Sequence, residues 1–149
     1  MGRVIAIDYG VRRIGVAVSD PTRTIAQPLD TIVRRPGKRP PWTALVALID
    51  RFEVGDIVVG LPLTLAGDDS DWTREVREFA AGLSRRTAAS VSLADERMTS
   101  VLAERAVRAL GLPRGQRHRK GRIDAAAAMV ILQAFLDAQA RARNENVEG

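Results

Sequence analysis

The chain of 149 residues contains no cysteine and one histidine, His118. Without cysteine there is no disulfide framework, zinc finger, iron–sulfur centre or thiol nucleophile. A single histidine excludes most histidine-based triads and metal sites built from several imidazoles. Lysine is scarce too, since only Lys38 and Lys120 contribute to the 23 basic residues. An enzyme of this composition must draw its chemistry mainly from carboxylates, hydroxyls or its few lysines.

Long hydrophobic runs are also absent. The apolar stretch at residues 4–7 is too short for a signal peptide, and no segment is apolar enough to span a bilayer. We therefore expect a cytoplasmic protein with no membrane partner. Hydrophobic residues make up 46% and charged residues 28%, as in ordinary globular domains. The length predicts a single domain over residues 1–143, with residues 144–149 as a frayed tail. The sequence leaves monomer and homodimer both open.

Positive charge is in excess, at +5 overall, and it is concentrated. Residues 97–122 hold eight basic residues and one acid. Such a patch favours an anionic partner, with nucleic acid first, and arginine binds phosphate with two hydrogen bonds. In the alternative interpretation, residues 111–122 are a solvated connector, and Arg12 and Arg13 are ordinary charges of a hairpin turn. The predicted nucleic-acid-binding residues are Arg12, Arg13, Arg97, Arg114, Arg117, Arg119, Lys120 and Arg122.

The hydrophobic pattern predicts an α/β fold in the order β-β-β-α-β-α-β-α-α. Three successive strands predict antiparallel pairing, and the later strand–helix alternation predicts parallel strands, so the sheet is mixed and flanked by helices. Ser70 or Asp71 is the expected cap of the second helix, and Trp42 and Trp72 are interpreted as core. The predicted strands are 3–9, 14–19, 25–33, 56–60 and 91–95; the helices begin near residues 41, 70, 99 and 122, the last after a basic loop at 111–121.

Three acidic residues stand at unusual places. Asp8 ends an apolar strand, on the face that carries Val4 and Ala6. Glu96 directly follows the fifth strand. Asp124 is expected in the first turn of the last helix, on the face that packs on the sheet. The residues in line with it are Ala127, Ala128, Ile131 and Phe135.

If these three carboxylates converge, their repulsion and burial call for a cation. Oxygen ligands without histidine or cysteine suit Mg²⁺ or Mn²⁺. Two such ions, about 4 Å apart, activate a water and stabilise the leaving oxygen of a phosphodiester. The sequence therefore favours a metal site formed by Asp8, Glu96 and Asp124, with these residues catalytic in phosphodiester hydrolysis.

Each carboxylate also has a simpler interpretation. Asp8 caps the hairpin turn in one alternative, and Asp124 merely favours a helix N-terminus in another. Glu96 pairs with Arg97 or Arg105 in the third. The metal hypothesis rests on the three residues together.

Four segments in order resemble the YqgF family, also called RuvX-type, of RNase H-like nucleases. They are Asp8-Tyr9-Gly10-Val11-Arg12-Arg13-Ile14-Gly15-Val16-Ala17, then Val59-Gly60-Leu61-Pro62-Leu63, then Asp95-Glu96-Arg97-Met98-Thr99-Ser100, and Asp124-Ala125-Ala126-Ala127-Ala128 with Ile131-Leu132-Gln133. The resemblance spans nearly the whole chain. It implies an RNase H-like fold, a five-stranded mixed sheet flanked by helices. It also implies that Asp8, Glu96 and Asp124 match the family's catalytic acidic positions.

The resemblance implies divalent-metal cleavage of structured nucleic acid, either 5′-end maturation of pre-16S ribosomal RNA or resolution of Holliday junctions. Two hypotheses of other classes remain open. The stretch 8–17 also resembles a phosphate-binding hairpin of the actin–hexokinase–Hsp70 group, although that group needs two such domains around its nucleotide. A non-catalytic RNA-binding module is the other, and the presence of all three carboxylates argues against it.

Overall fold

The computed structural model describes residues 2–35, 37–96 and 120–148, without the side chains of residues 120–124 and 147–148. The predicted helix that begins near residue 99, and the basic loop as far as residue 119, lie outside the described residues. The helices are α1 (Trp42–Arg51), α2 (Asp71–Ser84) and α3 (Lys120–Glu148). The strands are β1 (Arg3–Tyr9), β2 (Arg13–Ser19), β3 (Ala26–Pro28), β4 (Ile32–Val33), β5 (Val54–Leu61) and β6 (Ser90–Asp95).

The described strands form one mixed sheet in the order β3-β2-β1-β5-β6, with β4 also beside β2. β1 is central; it pairs antiparallel with β2 and parallel with β5, and β6 pairs parallel with β5. β1, β5 and β6 therefore end at the same edge, which we call the carboxyl edge. The predicted α/β class and mixed sheet are confirmed.

The third predicted strand is two strands rather than one. β3 and β4 are separated by residues 29–31, and both pair antiparallel with β2, with Pro28 opposite Ala17 and Ile32 opposite Ile14. Pro28 is tolerated because its position faces the outer edge of the sheet, and Leu29 still donates to the Val16 carbonyl (2.9 Å). The sheet thus has six strands where five were expected.

One face of the sheet is covered by α1 and α2. Large side chains dominate this face, and Trp42 and Trp72 pack against it at its margin, which confirms their interpretation as core residues. Ser70, not Asp71, caps α2: its hydroxyl accepts from the Thr73 amide, and the Thr73 hydroxyl accepts from the Ser70 amide. The buried cluster is Ile5, Ile7, Tyr9, Ile14, Val16, Val18, Leu45, Ile49, Ile57, Val59, Leu61, Val76, Phe79, Ala80 and Leu83.

The other face is covered by α3 and is built from smaller residues. It consists of Val4, Ala6, Ala17, Val58, Ala128, Ile131, Leu132 and Leu136. Gln133 fixes the helix against the sheet, because its amide donates to the Thr24 carbonyl (3.2 Å) and accepts from the Ala26 amide (3.4 Å). Ala127 and Phe135 are only half-buried, at the margin of the packed face.

The limits of α3 differ from the sequence expectation. The helix begins at Lys120, two residues earlier than predicted, so Lys120 and Gly121 are helical and not part of a loop. It continues past Arg143 to Glu148, where a frayed tail was expected, because the exposed residues there remain hydrogen-bonded in the helix. In the described part of the chain, no helix combines the length and hydropathy needed to cross a bilayer.

Candidate functional site

Asp8 lies near the end of the central strand, on the face that α3 covers. Strand alternation places Val4, Ala6 and Asp8 on one side and Ile5, Ile7 and Tyr9 on the other, as predicted. The hairpin turn that follows is closed by a backbone hydrogen bond from the Gly10 amide to the Arg13 carbonyl (3.0 Å). The Asp8 carboxyl is hydrogen-bonded to Glu96. Capping of the turn does not explain Asp8.

Glu96 is held in place by the strand that precedes it. Its backbone amide donates to the Leu61 carbonyl (3.0 Å), which extends the β5–β6 pairing by one residue. Its side chain passes over Gly60: a Cβ built there would lie 2.4 Å from Glu96 Oε1 and 2.7 Å from Cδ. The missing side chain of Gly60 is therefore what lets the Glu96 carboxyl cross β5 and reach Asp8 on β1.

The hydrogen bond between the Asp8 and Glu96 carboxyls requires that one of them be protonated. Burial raises the pKa of Glu96 to about 9, and the hydrogen bond and negative charge of Asp8 act in the same direction. Burial also raises the pKa of Asp8, and the hydrogen bond from Glu96 opposes that rise. At neutral pH, in the absence of a cation, Glu96 thus keeps a proton and donates a hydrogen bond to the Asp8 carboxylate.

Asp124 lies in the second turn of α3, since the helix begins at Lys120; the expectation of the first turn was wrong. The stabilisation of acids by a helix N-terminus falls off within the first turn, so it does not explain this position well. Asp124 precedes Ala128 and Leu132, both buried, by one and two turns. Among the described side chains no group of three possible metal ligands comes together, and the Asp124 side chain lies outside that description.

The predicted nucleic-acid contacts fall into two groups. Arg12 and Arg13 lie in the hairpin turn at the carboxyl edge, exposed and half-buried respectively. The remaining ones are either outside the described residues (Arg97, Arg114, Arg117 and Arg119) or begin α3 without described side chains (Lys120 and Arg122). The structure therefore brings Arg12 and Arg13 to the edge that holds Asp8 and Glu96.

Sequence reasoning missed Gly60. It stands at the end of an apolar, β-branched strand, where glycine signals that another group approaches the backbone closely. That signal was present in the sequence, but it does not say which group approaches. The approaching group is Glu96, which belongs to the next strand along the sheet.

Comparison with known proteins identifies the family. The RuvX family model, described as a Holliday junction resolvase, matches residues 2–138. The chain belongs to the RuvX family. It is 45% identical over 144 residues to a candidate pre-16S rRNA nuclease from Koribacter versatilis (strain Ellin345), covering 97% of this chain and 92% of the relative. A protein of the same description from Maridesulfovibrio salexigens is 41% identical over 134 residues, covering 90% and 97%.

Solved structures agree on the fold. The RuvX-family chain aligns with Thermus thermophilus RuvC in complex with a Holliday junction substrate at a TM-score of 0.57 and 19% identity, covering 94% of this chain and 96% of that one. A second Thermus thermophilus RuvC structure aligns at a TM-score of 0.58 and 16% identity, covering 93% and 96%. The predicted RNase H-like fold is confirmed.

Proposed function

We propose that this chain is a divalent-metal-dependent endonuclease that hydrolyses phosphodiester bonds in structured nucleic acid, with 5′-end processing of pre-16S ribosomal RNA as its reaction. The observation that carries the proposal is the half-buried Asp8–Glu96 pair at the carboxyl edge of the sheet. Two carboxyls this close are not both ionised at low cost, and a bound cation would favour their charged forms.

The residues present fit Mg²⁺ or Mn²⁺. Asp8 and Glu96 supply only oxygen donors, which these ions prefer. Gly60 leaves the space in which the Glu96 carboxyl meets Asp8, and a larger residue would fill it. The raised pKa of Glu96 indicates that the pair retains one proton when no cation is bound.

The position of α3 supports Asp124 as the third ligand. Near the edge opposite the carboxyl edge, Arg23 links the start of β1 to α3. Its guanidinium donates to the Gly2 carbonyl (2.8 Å) and to the Gln139 side chain (3.3 Å). From Gln139 back to Asp124 the helix rises about 22 Å at 1.5 Å per residue. From Gly2 to Asp8 the strand rises about 20 Å at 3.3 Å per residue. The two rises are similar, which supports an Asp124 position near the level of Asp8 if α3 runs along the direction of β1.

The chemistry follows from these roles. Asp8, Glu96 and Asp124 would hold one or two divalent ions, which when bound lower the pKa of a water and offset the charge of the scissile phosphate. The carboxylates would fix the position of the ions, and the Asp8–Glu96 pair must lose its shared proton to bind them. Arg12 and Arg13 contact neighbouring phosphates and orient the strand.

The substrate assignment is drawn from relatives. Those from Koribacter versatilis and Maridesulfovibrio salexigens are named for pre-16S rRNA. A second candidate substrate is the four-way DNA junction, because the matching family model is described as a Holliday junction resolvase. Processing of ribosomal RNA would place the chain in the cytoplasm. The two apolar clusters on opposite faces of one sheet support one nuclease domain.

A side-by-side cleavage assay tests the proposal. A pre-16S RNA fragment and a four-way DNA junction are incubated with wild type and with Asp8→Asn, in Mg²⁺, in Mn²⁺ and in EDTA. We expect site-specific cleavage of the RNA by wild type with either ion, and none with EDTA or the variant. Asp30→Asn, an exposed aspartate in the turn between β3 and β4, is the matched control and should cleave normally. Equal cleavage by Asp8→Asn and wild type would contradict the proposal.

A further inference from the structure

A second basic segment leaves the sheet at the carboxyl edge. Residues 34–39 include Arg34, Arg35, Lys38 and Arg39 and no acid. They follow β4, whose last residue, Val33, pairs with Arg13 of the hairpin turn. The segment therefore begins beside the turn that follows Asp8, on the side of β1 away from Glu96.

Arg34 anchors this segment. Its backbone amide donates to the Arg12 carbonyl (2.9 Å), and its guanidinium donates to the Gly10 carbonyl (3.3 Å) and the Lys38 carbonyl (3.4 Å). The guanidinium also stacks over the Tyr9 ring, 4.5 Å from its centroid, and is buried. Lys38 closes a turn by donating its amide to the Arg35 carbonyl (3.1 Å). The segment is thus tied to the strand that carries Asp8.

The other three cations of this segment have no ion pair with a described carboxylate. Arg35, Lys38 and Arg39 are exposed, and in the described part of the chain none of them lies within ion-pair distance of a carboxylate. Glu75 and Glu78 line a cleft of about 500 Å³ together with Arg34 and Lys38, and Arg35 and Arg39 are not among the lining residues. Exposed arginines fixed at one edge favour an external anion.

We propose that Arg35, Lys38 and Arg39, the basic strip, bind the phosphate backbone of a double-helical arm of the substrate, next to the cleavage site. The proposal rests on the nuclease function proposed above. It extends the nucleic-acid surface to the side of Asp8 opposite Glu96.

A duplex fits the basic strip better than a single strand. Single-stranded nucleic acid is bound through aromatic side chains on which bases stack, and residues 34–39 contain none. The nearby rings are already occupied: Trp42 stacks on Phe79 (5.5 Å between centroids) and carries the Arg86 guanidinium at 4.1 Å. Tyr9 stacks on the other side of Phe79 (3.9 Å). The basic strip therefore offers contacts to phosphates and no ring on which a base could stack.

The sheet geometry gives the position of the contact. β4 lies two strands from β1, which is roughly 10 Å at 4.8 Å per strand. That distance equals about three nucleotides along a duplex at 3.4 Å each. The basic strip should therefore contact the backbone about three nucleotides or more from the cleaved bond, on one side only.

Binding measured in EDTA tests the proposal separately from cleavage. The probes are a hairpin RNA with a long stem and a DNA duplex of the same sequence. The variant is Arg35→Gln/Arg39→Gln, and the control is Arg141→Gln/Arg143→Gln, an exposed pair of the same type near the end of α3. We expect the strip variant to bind about tenfold more weakly, with a salt slope smaller by about 1 to 2, and the control to bind like wild type.

A variant that preserves the charges separates an effect of charge on binding from an effect on folding. Arg35→Lys/Arg39→Lys keeps both charges and should restore most of the binding, and circular dichroism melting should give one Tm for all variants. Equal binding by the strip variant and the control overturns the proposal. So does failure of the lysine variant to restore binding. Loss of cleavage by wild type would instead contradict the nuclease function and leave these binding results to stand.

Cross-linking tests the position. Because the natural chain has no cysteine, Arg39→Cys introduces a unique thiol for a photo-activated cross-linker. Cross-links should cluster on one side of the cleavage site, about three nucleotides or more away, whereas Arg141→Cys should give none above background. Cross-links scattered along the stem, or equal for both variants, overturn the proposal.

Discussion

The two faces of the sheet differ in the size of the residues that cover them. On the face of α1 and α2, a column of stacked rings runs from Trp42 through Phe79 to Tyr9, with ring centroids 5.5 and 3.9 Å apart. On the face of α3, alanines at 6, 17 and 128 are completely buried between helix and sheet. Large side chains fill space, whereas small ones let a helix approach the strands closely.

This difference separates stability from chemistry. Asp8 and Glu96 lie on the small-residue face, which α3 covers. Tyr9, the neighbour of Asp8, belongs to the other face and packs in its core. One strand therefore carries the site on one side and a large part of the core on the other. We therefore expect substitutions at the site to lower activity with little loss of stability. Substitutions in the core of the other face should lower stability with little loss of activity.

The largest effect is expected for Asp8→Asn. Cleavage should fall on the order of 10³-fold, because several kcal/mol of metal-dependent transition-state stabilisation are lost. The free energy of unfolding should stay the same or increase, since one of two buried carboxyls becomes neutral. Single-turnover rates and urea denaturation measure both quantities. A variant that loses stability together with activity would contradict the separation of the two faces.

Phe79→Ala tests the opposite face. Phe79 is 2% exposed and lies between the rings of Tyr9 and Trp42. Its truncation should lower the free energy of unfolding by about 3–5 kcal/mol, as for other buried aromatic residues. The cleavage rate of the folded fraction should change little, which is measured at low temperature with the folded fraction known. A loss of activity comparable to that of Asp8→Asn would show that the faces are coupled through Tyr9.

Two glycine substitutions give a matched comparison. In Gly60→Ala the new Cβ would meet Glu96 Oε1 at 2.4 Å, and in Gly82→Ala it would meet Trp42 Cη2 at 2.8 Å. We expect Gly60→Ala to reduce cleavage about 10- to 100-fold, because 1–3 kcal/mol of overpacking would displace Glu96, the proposed metal ligand. Gly82→Ala should leave cleavage within about threefold and shift only Tm, since overpacking is offset by better helix propensity. Equal activity of the two variants would contradict the role of Gly60.

The last expected effect concerns stability alone: without metal, the free energy of unfolding should depend on pH. Because the pKa of Glu96 is raised to about 9 in the folded protein, the folded state binds a proton that the unfolded state releases above about pH 4.5. In EDTA, the free energy of unfolding should therefore decrease from about pH 4.5 to 9, by at most about 1.4 kcal/mol per pH unit. Glu96→Gln should remove this slope. An unchanged slope in that variant, measured by urea denaturation across the range, would contradict the shared proton.

Local patterns were enough to predict much of the fold. Alternation placed Asp8 beside Val4 and Ala6, and the cap at Ser70 was one of two residues proposed from type alone. The split of residues 25–33 into β3 and β4 was missed, because Pro28 permits either a bulge or a break and pairing with β2 decides between them. The start of α3 at Lys120 was missed as well, since Lys120 and Gly121 resemble the basic loop before them.

By itself the sequence determined which chemistry is possible. A chain without cysteine and with one histidine must draw its chemistry mainly from carboxylates, hydroxyls or its few lysines, and its motifs resemble those of the RuvX family. Only the tertiary structure decided that Glu96 reaches Asp8. β1 and β6 are not neighbours, and β5 lies between them; the gap is crossed because Gly60 carries no side chain. Contacts of this kind depend on strand order, which brings distant segments together and leaves no periodic signal along the chain.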